Sequence, residues 1–171
     1  VGATTVALPF GGKYQTTETE GCVQTLPILN AENIETVSYA SWGFDAEISK
    51  QNSMVGASLA VVESVAKIVA MGGNFRNIRL SFQEYFEKLG SQPEKWGKPL
   101  ASLLGAYDAQ MNLGLAAIGG KDSMSGTYQD INVPPTLISF ACADGKELNT
   151  ISPEFKKVGN FIYHFHHKTQ E

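Results

Sequence analysis

The sequence predicts an α+β domain, a small mixed β-sheet with helices packed on one face. Three observations carry this. Two strand-like runs, Cys22–Leu29 and Ile34–Trp42, stand on either side of the turn cluster Asn30-Ala-Glu-Asn33. An apolar repeat at helical spacing runs from Met54 to Met71. The whole order reads strands, helix, strand, helices, strand, strand, which suits one mixed sheet covered on one side.

The elements follow in chain order. Residues 1–19 are rich in Gly and Thr, contain Pro9 and the pair Gly11-Gly12, and read as an extended arm. After the two strands, Gly43–Asn52 reads as a loop, and Ser53 is the expected helix N-cap. In the helix that follows, Val55, Leu59, Val62, Ala66 and Val69 form a stripe that Val61, Val65 and Ile68 widen around most of the circumference. Only Gly56, Glu63 and Lys67, with small Ala60 beside them, interrupt it, and a helix apolar nearly all round is expected to be buried. Gly72-Gly73 should end it through a left-handed cap. Asn77–Ser81 reads as a short strand, Phe82–Leu89 as a short helix and Ser91–Pro99 as a loop. Leu100–Leu113 reads as a second amphipathic helix with Leu100, Leu103, Leu104, Tyr107 and Met111 on one face. Ala116–Ile118, Thr136–Ala143 after Pro134-Pro135, and Phe161–His166 read as strands.

Composition narrows the function classes. The chain has 171 residues, room for one domain or one domain with an appendage. It is 43% hydrophobic and only 18% charged, so part of its surface is expected to be covered by other protein. A net charge of -4 argues against nucleic acid as a partner, because phosphate neutralisation needs clustered Lys and Arg. No apolar run reads as a membrane span and no signal peptide is visible. Cys22 and Cys142 lack metal or redox spacing and read as reduced thiols of a cytoplasmic protein. The chain begins at Val1 and stops just after a strand-like run, so a piece of a longer polypeptide is expected.

Chemistry-bearing residues concentrate in Ile118-Gly-Gly-Lys-Asp-Ser-Met-Ser-Gly-Thr127, where an apolar strand opens into a loop. Lys121 is a compact cation suited to phosphate or to developing negative charge. Asp122 could hold Mg2+, orient Lys121 or act as a base, and Ser123 and Ser125 could donate to phosphate oxygens. The same residues would also serve in a polar surface turn. The spacing is not that of a Walker loop. Glu63 and Lys67 lie one helical turn apart, either as an ion pair that orients the helix or with the carboxylate turned to a ligand or metal. Glu18 and Glu20 are either solvated charges or face the pocket of Glu63. His164, His166 and His167 lack further ligands at metal spacing. Trp42, Trp96 and the scattered Phe residues read as core.

The run Ile118–Ser125 followed by Pro134-Pro-Thr-Leu-Ile-Ser-Phe-Ala141 closely resembles phosphoribosylformylglycinamidine synthase, the large glutamine-dependent enzyme of purine biosynthesis. Leu59-Ala-Val-Val-Glu-Ser-Val-Ala66, Ser53-Met-Val-Gly-Ala57 and Ile78-Arg-Leu-Ser81 are similar to the same family in the same order, so the resemblance runs from about Gly21 to Ala143. It implies a domain like the N-terminal part of aminoimidazole ribonucleotide synthetase, from the second of two tandem halves. On that reading residues 20–148 form the domain. Residues 149–171, with Ile151-Ser-Pro-Glu-Phe-Lys-Lys157, are the linker and the truncated first strand of the next domain. Two such domains normally pair their sheets, so a lone copy is expected to self-associate through the exposed sheet face.

The implied reaction takes formylglycinamide ribonucleotide, ATP and ammonia from glutamine to formylglycinamidine ribonucleotide, with Mg2+ and no activity in this piece alone. The implied catalytic residues are Lys121, Asp122 and Ser123. The implied phosphate-binding set is Gly119, Gly120, Lys121, Ser123 and Ser125. Some relatives carry a Glu and an Asn on this helix as magnesium ligands of an auxiliary nucleotide site. Glu63 matches the Glu, Lys67 replaces the Asn, and Glu20 stands near a third ligand. A charged Lys cannot ligate a metal, so Lys67 is expected to replace one magnesium by pairing with Glu63. The rival readings are a non-catalytic structural or auxiliary nucleotide-binding module, and a piece of another ATP-using relative such as aminoimidazole ribonucleotide synthetase or selenophosphate synthetase.

Overall fold

The computed structural model describes residues 4–7, 18, 20–28 and 34–166. The turn at 30–33, most of the expected arm and His167 lie outside the described residues. The strands are β1 (Thr5–Ala7), β2 (Gly21–Thr25), β3 (Thr36–Gly43), β4 (Arg79–Tyr85), β5 (Ala117–Lys121), β6 (Thr127–Tyr128), β7 (Ile131–Asn132) and β8 (Thr136–Lys146). The helices are α1 (Ala46–Gln51), α2 (Ser53–Ala70) and α3 (Pro93–Leu113), with 3-10 turns at Phe75–Asn77 and Glu147–Asn149.

Six strands form one sheet in the order β1-β2-β3-β8-β4-β5. All neighbours are antiparallel except β4 and β5, so the sheet is mixed, as expected. Alternation in β3 and β8 sends Val37, Tyr39, Leu137, Ala141 and Ala143 into the core under α2. The opposite face carries Trp42 and Phe140, which are cross-strand partners, each 41% exposed. Part of the expected arm joins the sheet, since Thr5–Ala7 pairs with β2 and buries Ala7.

Helix α2 starts where its sequence implies, one residue early. Asn52 caps it, accepting from the N–H groups of Met54 and Val55 at 3.1 Å, in place of Ser53. Gly72, at φ 98°, ends it, and Gly73 N–H donates to Ile68 O. The expected Gly43–Asn52 loop instead contains α1, because the Asp45 carboxylate accepts from Glu47 and Ile48 N–H and nucleates a turn. At 18 residues α2 is long and apolar enough to cross a membrane by length and composition, contrary to expectation; here it packs on the sheet.

The all-round burial expected of α2 does not occur. Val55, Leu59, Val62 and Val69 are each 44–46% exposed. The buried side carries Ala57, Ala60, Val61, Val65 and Ile68. α3 repeats the arrangement. Its buried side is Pro99, Ser102, Gly105, Ala106 and Ala109, while Leu100, Leu103, Leu104, Tyr107 and Met111 face outward. The two helices meet through small residues, and a Cβ on Gly105 would stand 2.0 Å from Met54 O.

Four further expectations fail locally. Phe82–Leu89 is no helix; Phe82–Tyr85 continues β4, because each residue pairs with β8 as far as Tyr85 opposite Thr136. α3 begins at Pro93, whose missing N–H costs nothing in the first turn, so Ser91–Pro99 is mostly helix and Pro99 lies inside it. Phe161–His166 forms no strand and is exposed throughout. Trp96 lies outside the core, 57% exposed, its Nε1 donating to Gly90 O at 3.0 Å.

Candidate functional site

Lys121 and Asp122 stand where β5 runs out. β5 is an edge strand, so the N–H groups on its free side have no ladder partner. Its other side pairs with β4 in the register Ser81–Gly119, Phe82–Gly120, Gln83–Lys121. Gly120 is required there, since a Cβ would sit 2.6 Å from Phe82 O. Beyond β5 the chain is stitched to the end of β4. Ser123 N–H donates to Glu84 O (3.1 Å), Phe86 N–H to Ser123 O (2.8 Å) and Gly126 N–H to Phe86 O (2.9 Å). Ser123 and Ser125 hydrogen-bond each other through their hydroxyls at 2.9 Å. After Ser125 the chain forms a β6–β7 hairpin turning at Gln129, φ 54°.

A cavity of about 290 Å³ is lined by Phe82, Glu84, Leu103, Gly119, Gly120, Lys121 and Asp122. Ser125 lines a neighbouring one of about 400 Å³ with Gly126, Thr127 and Tyr85. The expected phosphate-binding set is thus divided between two concavities. Lys121 is exposed and in register with Gln83, hence on the face of the sheet away from Leu80 and Glu84.

Glu84 is the residue the sequence reading missed. It is 7% exposed and its Oε1 has no hydrogen-bond partner. Burial raises its pKa to about 7, and the negative charge of Asp122 adds to the rise. The signal was present: Leu80, Phe82 and Glu84 alternate with Arg79, Ser81, Gln83 and Tyr85, which puts Glu84 on the apolar face of a strand. Glu87, nearby, is a different case. Its buried carboxylate pairs with Lys98 and with Lys95 (3.1 Å), tying the end of β4 to α3, and those two ammonium groups hold its pKa down.

The second ionic group lies across the sheet. Lys67 Nζ is 2.7 Å from Glu63 Oε1 and 3.0 Å from Glu20 Oε2. It stands 5.4 Å from the centre of the Trp42 ring, and Phe44 N–H donates to Glu63 Oε2 at 3.1 Å. Burial alone would lower the Lys67 pKa; hydrogen bonds and charge from Glu63 and Glu20 outweigh it and raise it. Glu20 therefore does share the setting of Glu63. Magnesium does not fit here, because an ammonium already sits between Glu63 and Glu20, the two carboxylates that meet it among the described residues. Among the described residues no group of three or more His, Cys, Asp or Glu is placed to hold a metal.

The structure does not bring Glu63 and Lys121 together. Lys67 and Glu20 line their own cavity with Ala70, Met71 and Ile151–Pro153, at the β2–β3 side of the sheet, whereas Lys121 lies at the β5 edge. His164 and His166 are close, ring centres 5.3 Å apart, and both exposed. Cys22 and Cys142 are free thiols.

No protein-family model and no curated protein matches the chain. Solved structures do. The chain is similar to PurLQS from Thermotoga maritima, at 19% identity and a TM-score of 0.70, over 90% of this chain and 23% of that one. It is similar at the same values to phosphoribosylformylglycinamidine synthase II from that organism. Against T. maritima PurL complexed with FGAR the TM-score is 0.69 at 19% identity, covering 90% and 22%. At this identity the likeness establishes a shared fold, and the chain spans under a quarter of the length of these proteins.

Proposed function

We propose that the chain is a domain of a cytoplasmic, glutamine-dependent, ATP-consuming ligase of purine biosynthesis that converts formylglycinamide ribonucleotide to formylglycinamidine ribonucleotide, and that it is inactive alone. One observation supports this above the others. The Gly119–Thr127 segment, with its synthase-like residues, sits at the end of an edge strand within the PurL fold. In this reading the substrate amide oxygen attacks the terminal phosphorus of ATP and releases ADP. Ammonia freed from glutamine then adds to the activated carbon, and phosphate leaves with the former amide oxygen. Lys121 opposes the charge of the phosphoryl group, Asp122 orients it, and Ser123 and Ser125 donate hydroxyl hydrogen bonds. Gly119 and Gly120 bring the backbone close, and whichever of their oppositely directed N–H groups faces the free edge is the one offered to phosphate. The remaining domains of the enzyme complete the site, one of them covering the Trp42–Phe140 face.

A second reading, an auxiliary nucleotide-binding module without catalysis, is favoured by Lys67. Its ammonium serves as the fixed counter-charge of Glu20 and Glu63, so no magnesium step is assigned to those carboxylates. Substituting Lys121 and Asp122 by Ala in the full-length enzyme separates the two. Loss of about 10²-fold or more in turnover with an unchanged melting temperature supports the catalytic reading. Normal turnover with a lowered melting temperature supports the module.

A further inference from the structure

We propose that the cavity between Phe82, Leu103 and the Gly119–Asp122 strand end takes the sugar-phosphate part of a ribonucleotide, with Glu84 as the hydrogen-bonding partner of a ribose hydroxyl. The inference rests on the phosphate reading of the Lys121 segment and adds to it a residue, a subsite and a ligand group.

The argument starts from an orphan. A buried carboxyl with a free oxygen is costly to leave unpaired, and folded proteins rarely do so without a use for it. Glu84 is more than nine-tenths buried, its Oε1 has no partner, and it lines this cavity. Asp122 lines the same cavity, close enough for its charge to act on Glu84. Two carboxyl groups lining one cavity call for a ligand that donates hydrogen bonds. A hydroxyl suits Glu84 in either protonation state, because it donates to a carboxylate and accepts from a carboxylic acid. Asp122 can accept from a second hydroxyl, as a ribose diol provides.

The other walls agree. Phe82 and Leu103 present carbon surface to the C–H face of a sugar ring. The free edge of β5, whose residues Gly119–Lys121 line the cavity, lies at the rim, where a phosphate on the sugar would reach its outward N–H groups. A volume of about 290 Å³ stands at the small end of ligand pockets and is enough for a sugar phosphate.

Two sources share this chemistry, the nucleotide cosubstrate and a ribonucleotide substrate. Backbone-amide NMR titrations of the chain with inorganic phosphate, ribose 5-phosphate and ADP distinguish them. Ribose 5-phosphate or ADP should bind at least tenfold more tightly than phosphate, with shifts at Gly119 and Gly120. Glu84→Leu, which keeps bulk but removes both oxygens, should erase that advantage and leave phosphate binding unchanged. Leu103→Trp, at a half-exposed position outside the core, should narrow the cavity and weaken the same ligands, so the test survives if Glu84→Leu fails to fold. An effect confined to ADP assigns the subsite to the cosubstrate, and one shared by ribose 5-phosphate assigns it to the sugar phosphate at large. Phosphate bound as tightly as ribose 5-phosphate and ADP, or sugar-phosphate affinity untouched by Glu84→Leu and Leu103→Trp, overturns the inference alone. No binding of any probe overturns it together with the phosphate reading.

Discussion

Lys67 places its ammonium 2.7 Å from the carboxylate of Glu63, one turn earlier on α2, and Glu20 closes on the same ammonium from the start of β2. A lysine here does what a bound cation would do elsewhere. Replacing it should recreate the need for one. Lys67→Asn should lower the melting temperature in chelator and regain it in millimolar Mg2+ or Mn2+, while the parent chain responds to neither. Equal metal response in both chains would sink the idea.

The raised pKa of Glu84 fixes the sign of a pH effect. The folded chain holds the proton to about 7, whereas an unfolded chain releases it near the ordinary value of 4.5. The associated stability is complete below 4.5 and is lost as pH rises through 7. Glu84→Gln, which mimics the neutral form, should match the parent at pH 4 and exceed it by about 1–3 kcal/mol at pH 8. Urea melts at both pH values measure this, and a variant less stable at pH 8 contradicts the assignment.

Gly105 is where α2 and α3 touch backbone to backbone. Gly105→Ala must push the helices apart, since the nearest atom is a carbonyl and cannot swing away. A loss of about 1–3 kcal/mol is expected, despite the better helix propensity of Ala. Thermal unfolding reads it directly; a stabilised variant would show that the helices can slide.

Phe140 opposes Trp42 on the uncovered sheet face. If that face pairs with another such sheet, the isolated chain should form dimers at high concentration, and Phe140→Glu should abolish them without changing the melting temperature. Sedimentation velocity distinguishes this from a chain that is monomeric throughout.

The course of α2 was legible because Ser53, an apolar run and Gly72 bracket it, with the cap falling one residue earlier, at Asn52. β3 and β8 were legible from alternation and flanking turns. The Gly119–Thr127 segment stood out through its residue types. What failed depended on neighbours. Spacing aligned Val55, Leu59, Val62 and Val69 on one stripe, but only the arrival of α3 against the small-residue side decided that this stripe faces outward. The alternation of Leu80, Phe82 and Glu84 is too short to exclude a helix over Phe82–Leu89, and pairing with β8 makes the first half of that run a strand; under the helix reading Glu84 goes unseen. The separation of Glu63 from Lys121 follows from strand order, since β8 and β4 intervene between β3 and β5. No local pattern encodes that insertion.

Trp42 beside Lys67 has a practical corollary. The chain has two indoles, and they report on different places: one beside the ammonium of the three-residue charge cluster, the other pinned to Gly90 at the head of α3. Replacing Trp96 by Phe would leave a single emitter next to Glu20, Glu63 and Lys67. Its colour and brightness would then signal any change in that cluster without an added label.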